Sequence, residues 1–170
     1  MEVLKFERTI SRIDDPSVLS FDDTTYLWVI HANKIPPHLG ISQGDEFYSL
    51  KANGKDEGLP VSKLIQVLQR KSIATAFFEI QSEAIVQAPK EVFAQYETTT
   101  PGEITCLAPL KQILRIADAT WLKELLAELE MKEAIQSAHG WQLPLDFEQI
   151  PDYNPQDIHR RLKQLQDVQS

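Results

Sequence analysis

The fold of this chain is decided by the stretch TYLWVIH, Thr25–His31. It is rich in β-branched and aromatic residues, which favour strands, and it is apolar on both faces, as in the centre of a sheet. Two strand-like runs follow, His38–Ser42 and Glu46–Lys51, and Gly44 between them is suited to a turn, which predicts a β-hairpin. With a further buried run, Ala74–Ile80, these segments predict an antiparallel sheet.

Helical spacing of apolar residues dominates the second half of the chain. One stripe includes Leu110 and Leu114, and another covers residues 121–140, ending at a glycine that would terminate the helix. A last helix is predicted to begin at Asn154-Pro155. Strands in the first half and helices in the second predict an α+β fold. The residues predicted to be buried are Trp28, Ile30, Phe77, Ile80, Leu110, Ile113, Leu114, Leu122 and Leu126.

The length of 170 residues fits one domain. We expect residues 1–118 to form an α+β core and residues 119–170 to form a helical C-terminal extension packed on it. The polar stretch Asn53–Gly58 is predicted to be a loop, and Pro60 to open a helix. Alternation of apolar residues over Leu4–Ile10 predicts an N-terminal strand.

The composition argues against several classes of function. The formal net charge of −8 disfavours a phosphate-backbone partner, so no nucleic acid is expected. No stretch reaches the roughly 20 apolar residues of a membrane span. A single cysteine and the lack of a long apolar run near the first residue predict a cytoplasmic protein. The one cysteine and four histidines lack metal-ligand spacing, so no metal or other cofactor is predicted.

His38 and Cys106 are the residues that suit covalent chemistry. His38 lies at the start of a predicted strand, and Cys106 lies just before a helix predicted from about Leu107. The partial positive charge of a helix N-terminus favours a thiolate, and a neutral imidazole can take a thiol proton. The sequence therefore predicts a thiol nucleophile with a histidine base.

The pattern His38-Leu39-Gly40-Ile41, with Cys106 heading a later helix, resembles the circularly permuted papain-like thiol enzymes, which include the lecithin–retinol acyltransferase-like proteins. The resemblance covers roughly Thr25–Ala117 and implies a papain-like core acting on an amide or ester through a thioester. It implies that Cys106 is the nucleophile and His38 the base, with an orienting residue across the hairpin. Counting through the turn gives Ser49 as the orienting residue, where the family often has histidine. The residues around Cys106 also lack the Cys-Glu-His signature of the family.

Other interpretations of these residues compete with this one. Cys106 can be a small buried hydrophobic residue, and His31 is an alternative base. The acidic chain can instead be a non-catalytic binding, adaptor or immunity-type protein for a basic protein partner, rather than an enzyme with a small-molecule or peptide substrate. Trp141, Phe147 and Tyr153 would then form an exposed surface, or they form a strap packed on the helices.

Overall fold

A computed structural model describes Phe6, residues 8–100 and residues 104–169, with side chains up to residue 165 in the last helix. It has mixed α and β structure. The strands are β1 (Ser11–Ile13), β2 (Thr25–Ile30), β3 (His38–Gln43), β4 (Glu46–Lys51), β5 (Gly54–Pro60), β6 (Thr75–Ile80) and β7 (Ile135–Trp141). The helices are α1 (Val61–Arg70), α2 (Pro89–Phe93), α3 (Leu107–Leu114), α4 (Leu122–Met131) and α5 (Pro155–Gln169).

The described strands form one sheet in the order β1-β7-β6-β2-β3-β4-β5. β2 lies in its middle and pairs antiparallel with β3 and β6, as expected for a strand that is apolar on both faces. β3 and β4 form the predicted hairpin. The four predicted strands pair antiparallel as expected. The sheet as a whole is mixed, because β1 pairs with β7 in parallel at one edge.

Two strands lie where the sequence predicted other structure. The helix predicted over residues 121–140 ends at Met131, Glu133 has a φ of +55°, and the chain then enters β7 between β1 and β6. The predicted loop Asn53–Gly58 contributes most of β5, which pairs with β4. Backbone pairing with a neighbouring strand outweighed local propensity at both places. Of the strand predicted over Leu4–Ile10, residues 4, 5 and 7 lie outside the described residues. Residues 6 and 8–10 are described and are not in a strand, since β1 begins at Ser11.

The sheet separates two apolar layers. On one face α1 packs over Trp28, Phe47 and Phe77, and on the other face α2 to α5 cover a larger cluster that includes Leu39 and Phe78. All nine residues predicted to form the core are buried. The helical part of the second half therefore packs on the face opposite to α1.

Gly40 lies where β3 passes closest to its neighbours. A Cβ at this position would meet the Phe47 ring and approach the Tyr48 carbonyl oxygen to 2.8 Å, which is closer than carbon and oxygen can pack. We expect Gly40→Ala to lower the free energy of unfolding by about 2 kcal/mol, as overpacked cores do. Urea denaturation of Gly40→Ala measures this loss of stability. Gly54→Ala is the comparison variant, because a Cβ at residue 54 meets nothing within 4 Å, although its φ is +157°. Equal stability of Gly40→Ala and the wild type would contradict the expected clash.

Candidate functional site

The hairpin register defines the surroundings of His38. Gly40 pairs with Ser49, and Ile30 of β2 pairs with His38. Continuing the β3–β4 register by two residues sets Lys51 opposite His38 and leaves Ser49 diagonal to it. Ser49, predicted to face His38 directly, therefore lies on the same face of the sheet but one pair further along.

A hydrogen-bonded polar group lies on this face beside His38. The Ser49 hydroxyl donates to Asp56 Oδ2 over 2.8 Å, and Lys51 Nζ donates to Asp56 Oδ1 over 3.1 Å. Ser49 is fully buried, and Asp56 faces it from β5. We call Ser49, Lys51 and Asp56 the β4–β5 polar group. It holds one carboxylate in place with donors on both of its oxygens.

The His38 imidazole is kept neutral by its surroundings. The residue as a whole is half-buried, but Nε2 is buried and has no hydrogen-bond partner among the described atoms. Burial lowers the pKa of His38 to about 4, although the Asp56 charge opposes this shift. Above that pH the ring has a lone pair available to accept a proton.

Cys106 directly precedes α3, and this helix begins at Leu107 as expected. The Leu107 N–H donates to Thr105 Oγ1 over 3.1 Å, so Thr105 supplies the first cap. The expected low thiol pKa is wrong: burial raises the pKa of Cys106 to about 11, and the backbone N–H groups of Leu39 and of Cys106 itself only partly offset this. Desolvation outweighs the electrostatic benefit of a short helix, and the resting group is a thiol.

The structure brings Cys106 next to the backbone of His38 but does not join their side chains. The sulfur lies near enough to the Leu39 N–H to be stabilised by it, and Leu39 is the residue after His38. Cys106 packs against the larger apolar cluster, on the Leu39 side of the sheet. Strand alternation directs His38 to the other face. In the described part of the chain, no hydrogen bond links the two side chains.

Tyr153 is a neighbour of Cys106 that the sequence did not identify. Its hydroxyl accepts the Leu122 N–H at the start of α4 over 3.1 Å, and its ring packs edge-on against Trp121. Burial raises the pKa of Tyr153, and the nearby Cys106 adds to that shift. Tyr153 thus anchors the segment before α5 close to the thiol.

The three aromatics proposed for a binding surface are not exposed. Trp141 and Tyr153 are buried, and Phe147 packs against the larger cluster. Arg12 donates to the carbonyl oxygens of Pro144 and Phe147, over 2.8 and 3.2 Å, which holds the segment between β7 and α5. The packed strap therefore describes the segment that carries Phe147 and Tyr153, whereas Trp141 is the last residue of β7 and packs in the smaller cluster on the α1 side.

His31 does not belong to the strand that was predicted to include it. β2 ends at Ile30, and His31 has a φ of +59° in the following turn. Burial lowers the pKa of His31, and the charges of Lys34, Arg161 and Lys71 lower it further. His31 also acts electrostatically on His38, in the direction that disfavours the His38 cation.

Asp56 is the main site residue that sequence reasoning missed. It was assigned to a loop because Asn53–Gly58 has no apolar alternation. The bend of the chain at residues 52–53 returns β5 along β4, and this pairing sets Asp56 beside Ser49. A weak signal was present, since a lysine and two acids in succession at residues 55–57 suit an edge strand.

The remaining observations bear on classes of function. No cluster of three or more His, Cys, Asp or Glu side chains suited to a metal ion occurs among the described residues. None of the described helices has the length and apolar character needed to cross a membrane. Comparison of the chain with protein-family models, with curated proteins and with solved structures finds no match.

Proposed function

We propose that this chain is a thiol hydrolase or acyl transferase, with Cys106 as nucleophile and His38 as base, acting on an amide or ester. One observation supports this proposal: Cys106 directly precedes α3 and packs on the cluster that contains Leu39, the residue after His38, and His38 has a buried Nε2 with no hydrogen-bond partner among the described atoms. Buried unpaired polar groups are unfavourable and are often found where function requires them.

The expected chemistry begins from a neutral pair. With a thiol pKa of about 11 and an imidazole pKa of about 4, both groups are uncharged at neutral pH. As sulfur attacks the carbonyl carbon, a His38 ring nitrogen accepts the Sγ proton. The tetrahedral intermediate then collapses, and the C–N or C–O bond breaks as His38 returns the proton to the leaving amine or alcohol. The acyl thioester on Cys106 is transferred to water or to another acceptor.

A productive contact requires the His38 ring to turn toward the sulfur. His38 is the first residue of β3, and its side chain points to the face opposite Cys106, so rotation about χ1 is not sufficient and the end of the strand must also rearrange. Tyr153 lies close to the thiol, and Cys106 as a residue is half-buried. Catalytic hydrogen bonds are often long or poorly aligned in the absence of substrate.

Acylation by an activated ester tests this function. Cys106 is the only cysteine of the chain, so an acyl thioester identified by mass spectrometry after exposure to p-nitrophenyl acetate reports on one site. We expect a hydroxylamine-labile adduct on the wild type, none on Cys106→Ala, and acylation at least about 100-fold slower on His38→Ala, since general bases contribute about 10²–10⁴.

Two results would count against the enzyme. Acylation of Cys106 at equal rates in the wild type and in His38→Ala would remove the histidine from the mechanism. Absence of any thioester in the wild type, across short-chain and long-chain acyl esters, would remove the nucleophile. The alternative, an acidic binding protein for a basic partner, would then remain.

A further inference from the structure

Two exposed hydrophobic side chains lie on the two segments that form one surface groove. Leu145, on the strap between β7 and α5, is fully exposed, and Ile35, in the β2–β3 turn, is 52% exposed. The groove has a volume of about 320 Å³ and is lined by Asn33 from the turn and by Pro144, Asp146, Phe147, Glu148, Gln149 and Pro151 from the strap. Exposed apolar side chains that cluster beside a concave surface are typical of interaction sites.

The strap side of the groove is held in place by hydrogen bonds and packing. Arg12 donates to the carbonyl oxygens of Leu143 and Pro144, over 3.2 and 2.8 Å. It also donates to the Phe147 carbonyl oxygen over 3.2 Å, and Ile150 is buried in the larger cluster. A ligand would therefore meet a groove that is already formed, which reduces the entropy lost on binding.

The lining of the groove combines negative charge with apolar surface. Asp146 and Glu148 are exposed, and neither belongs to an ion pair among the described residues. Pro144, Phe147 and Pro151 supply the apolar part of the lining. A lysine or arginine side chain has an apolar stem and a charged end, so it matches both parts of this groove.

We propose that the groove binds a segment of a partner protein in which lysine or arginine residues alternate with apolar residues. A basic side chain enters the groove, with its charge near Asp146 and Glu148, and the apolar residues of the segment cover Leu145 and Ile35. The net charge of −8 favours the approach of such a partner. The inference goes beyond the proposed function and does not depend on it, because Cys106 does not line the groove.

Binding of a fluorescently labelled peptide in which arginine and leucine alternate tests this proposal by anisotropy at low salt. We expect Asp146→Asn/Glu148→Gln to weaken binding about fivefold, as the loss of two exposed ion pairs does. Leu145→Ser is expected to weaken it by a similar factor, because the leucine is partly covered in the complex. Lys34 is an exposed cation next to Asn33, so Lys34→Gln is expected to strengthen binding about twofold.

The matched control is Asp23→Asn/Glu83→Gln, which changes the net charge by the same amount. Both of these residues are exposed. Asp23 precedes β2, and Glu83 follows β6, whose last residue pairs with the first residue of β2. The control carboxylates therefore lie at the end of the sheet opposite to Asn33, and we expect their removal to change the affinity less than twofold.

Several results would overturn the inference. Equal weakening by the two double variants would show that net charge alone attracts the peptide. Unchanged affinity of Leu145→Ser would remove the apolar contact, and since this side chain is fully exposed, its loss leaves the fold intact. A peptide with glutamate in place of arginine that binds as tightly would reverse the expected charge preference, and no measurable binding of the arginine–leucine peptide would also overturn the proposal.

Discussion

Acidification from pH 6.5 to pH 4 is expected to destabilise the wild-type chain by about 3 kcal/mol more than a variant that lacks His38. Burial lowers the pKa of His38 from 6.5 to about 4. Between these values the unfolded chain binds a proton that the folded chain excludes, so stability is complete above pH 6.5 and falls as the pH drops toward 4. A shift of this size corresponds to about 3 kcal/mol.

Urea denaturation at several pH values measures this difference. His38→Gln removes the titrating group and is expected to show a shallower loss of stability with acid than the wild type. Carboxylates contribute to acid destabilisation in both proteins, so the informative quantity is the difference between their slopes of stability against pH. Parallel curves for the wild type and His38→Gln would show that His38 titrates as an exposed residue.

The second large effect is expected for Trp28→Ala. Trp28 is fully buried on β2, and its ring lies 5.0 Å from Phe47 and 4.8 Å from Phe77 between centroids. Its indole N–H donates to the Ser42 hydroxyl over 2.9 Å. Removing the ring leaves a cavity and a buried hydroxyl without that donor, which together lower the free energy of unfolding by about 4 kcal/mol.

Two further variants separate the contributions to this loss. Trp28→Phe keeps most of the apolar volume but loses the N–H, and is expected to fall between Trp28→Ala and the wild type. Trp121→Ala removes a half-buried tryptophan that packs on Tyr153 and is expected to destabilise the protein less than Trp28→Ala. If Trp28→Ala retains the wild-type urea midpoint, the α1 side of the sheet contributes little to stability.

Several parts of the candidate site could be predicted from the sequence. The hairpin, the position of His38 at the start of β3 and the helix that follows Cys106 all depend on local signals: a turn glycine, β-branched residues and helical spacing. The thiol pKa could not be anticipated. It is determined by how deeply the sulfur is buried, and that depends on residues distant in sequence, such as Leu39 and Tyr153.

The sequence by itself determined the central strand β2, the hairpin and the apolar faces, because these depend on residue types a few positions apart. Only the tertiary structure decided that residues 135–141 join the sheet and that β1 pairs with β7 in parallel. That segment is poor in β-branched and aromatic residues, and it is a strand because β6 and β1 satisfy its backbone from both sides. Asp56 reaches the His38 face for the same reason, since pairing with β4 orders a polar segment that has no apolar pattern of its own.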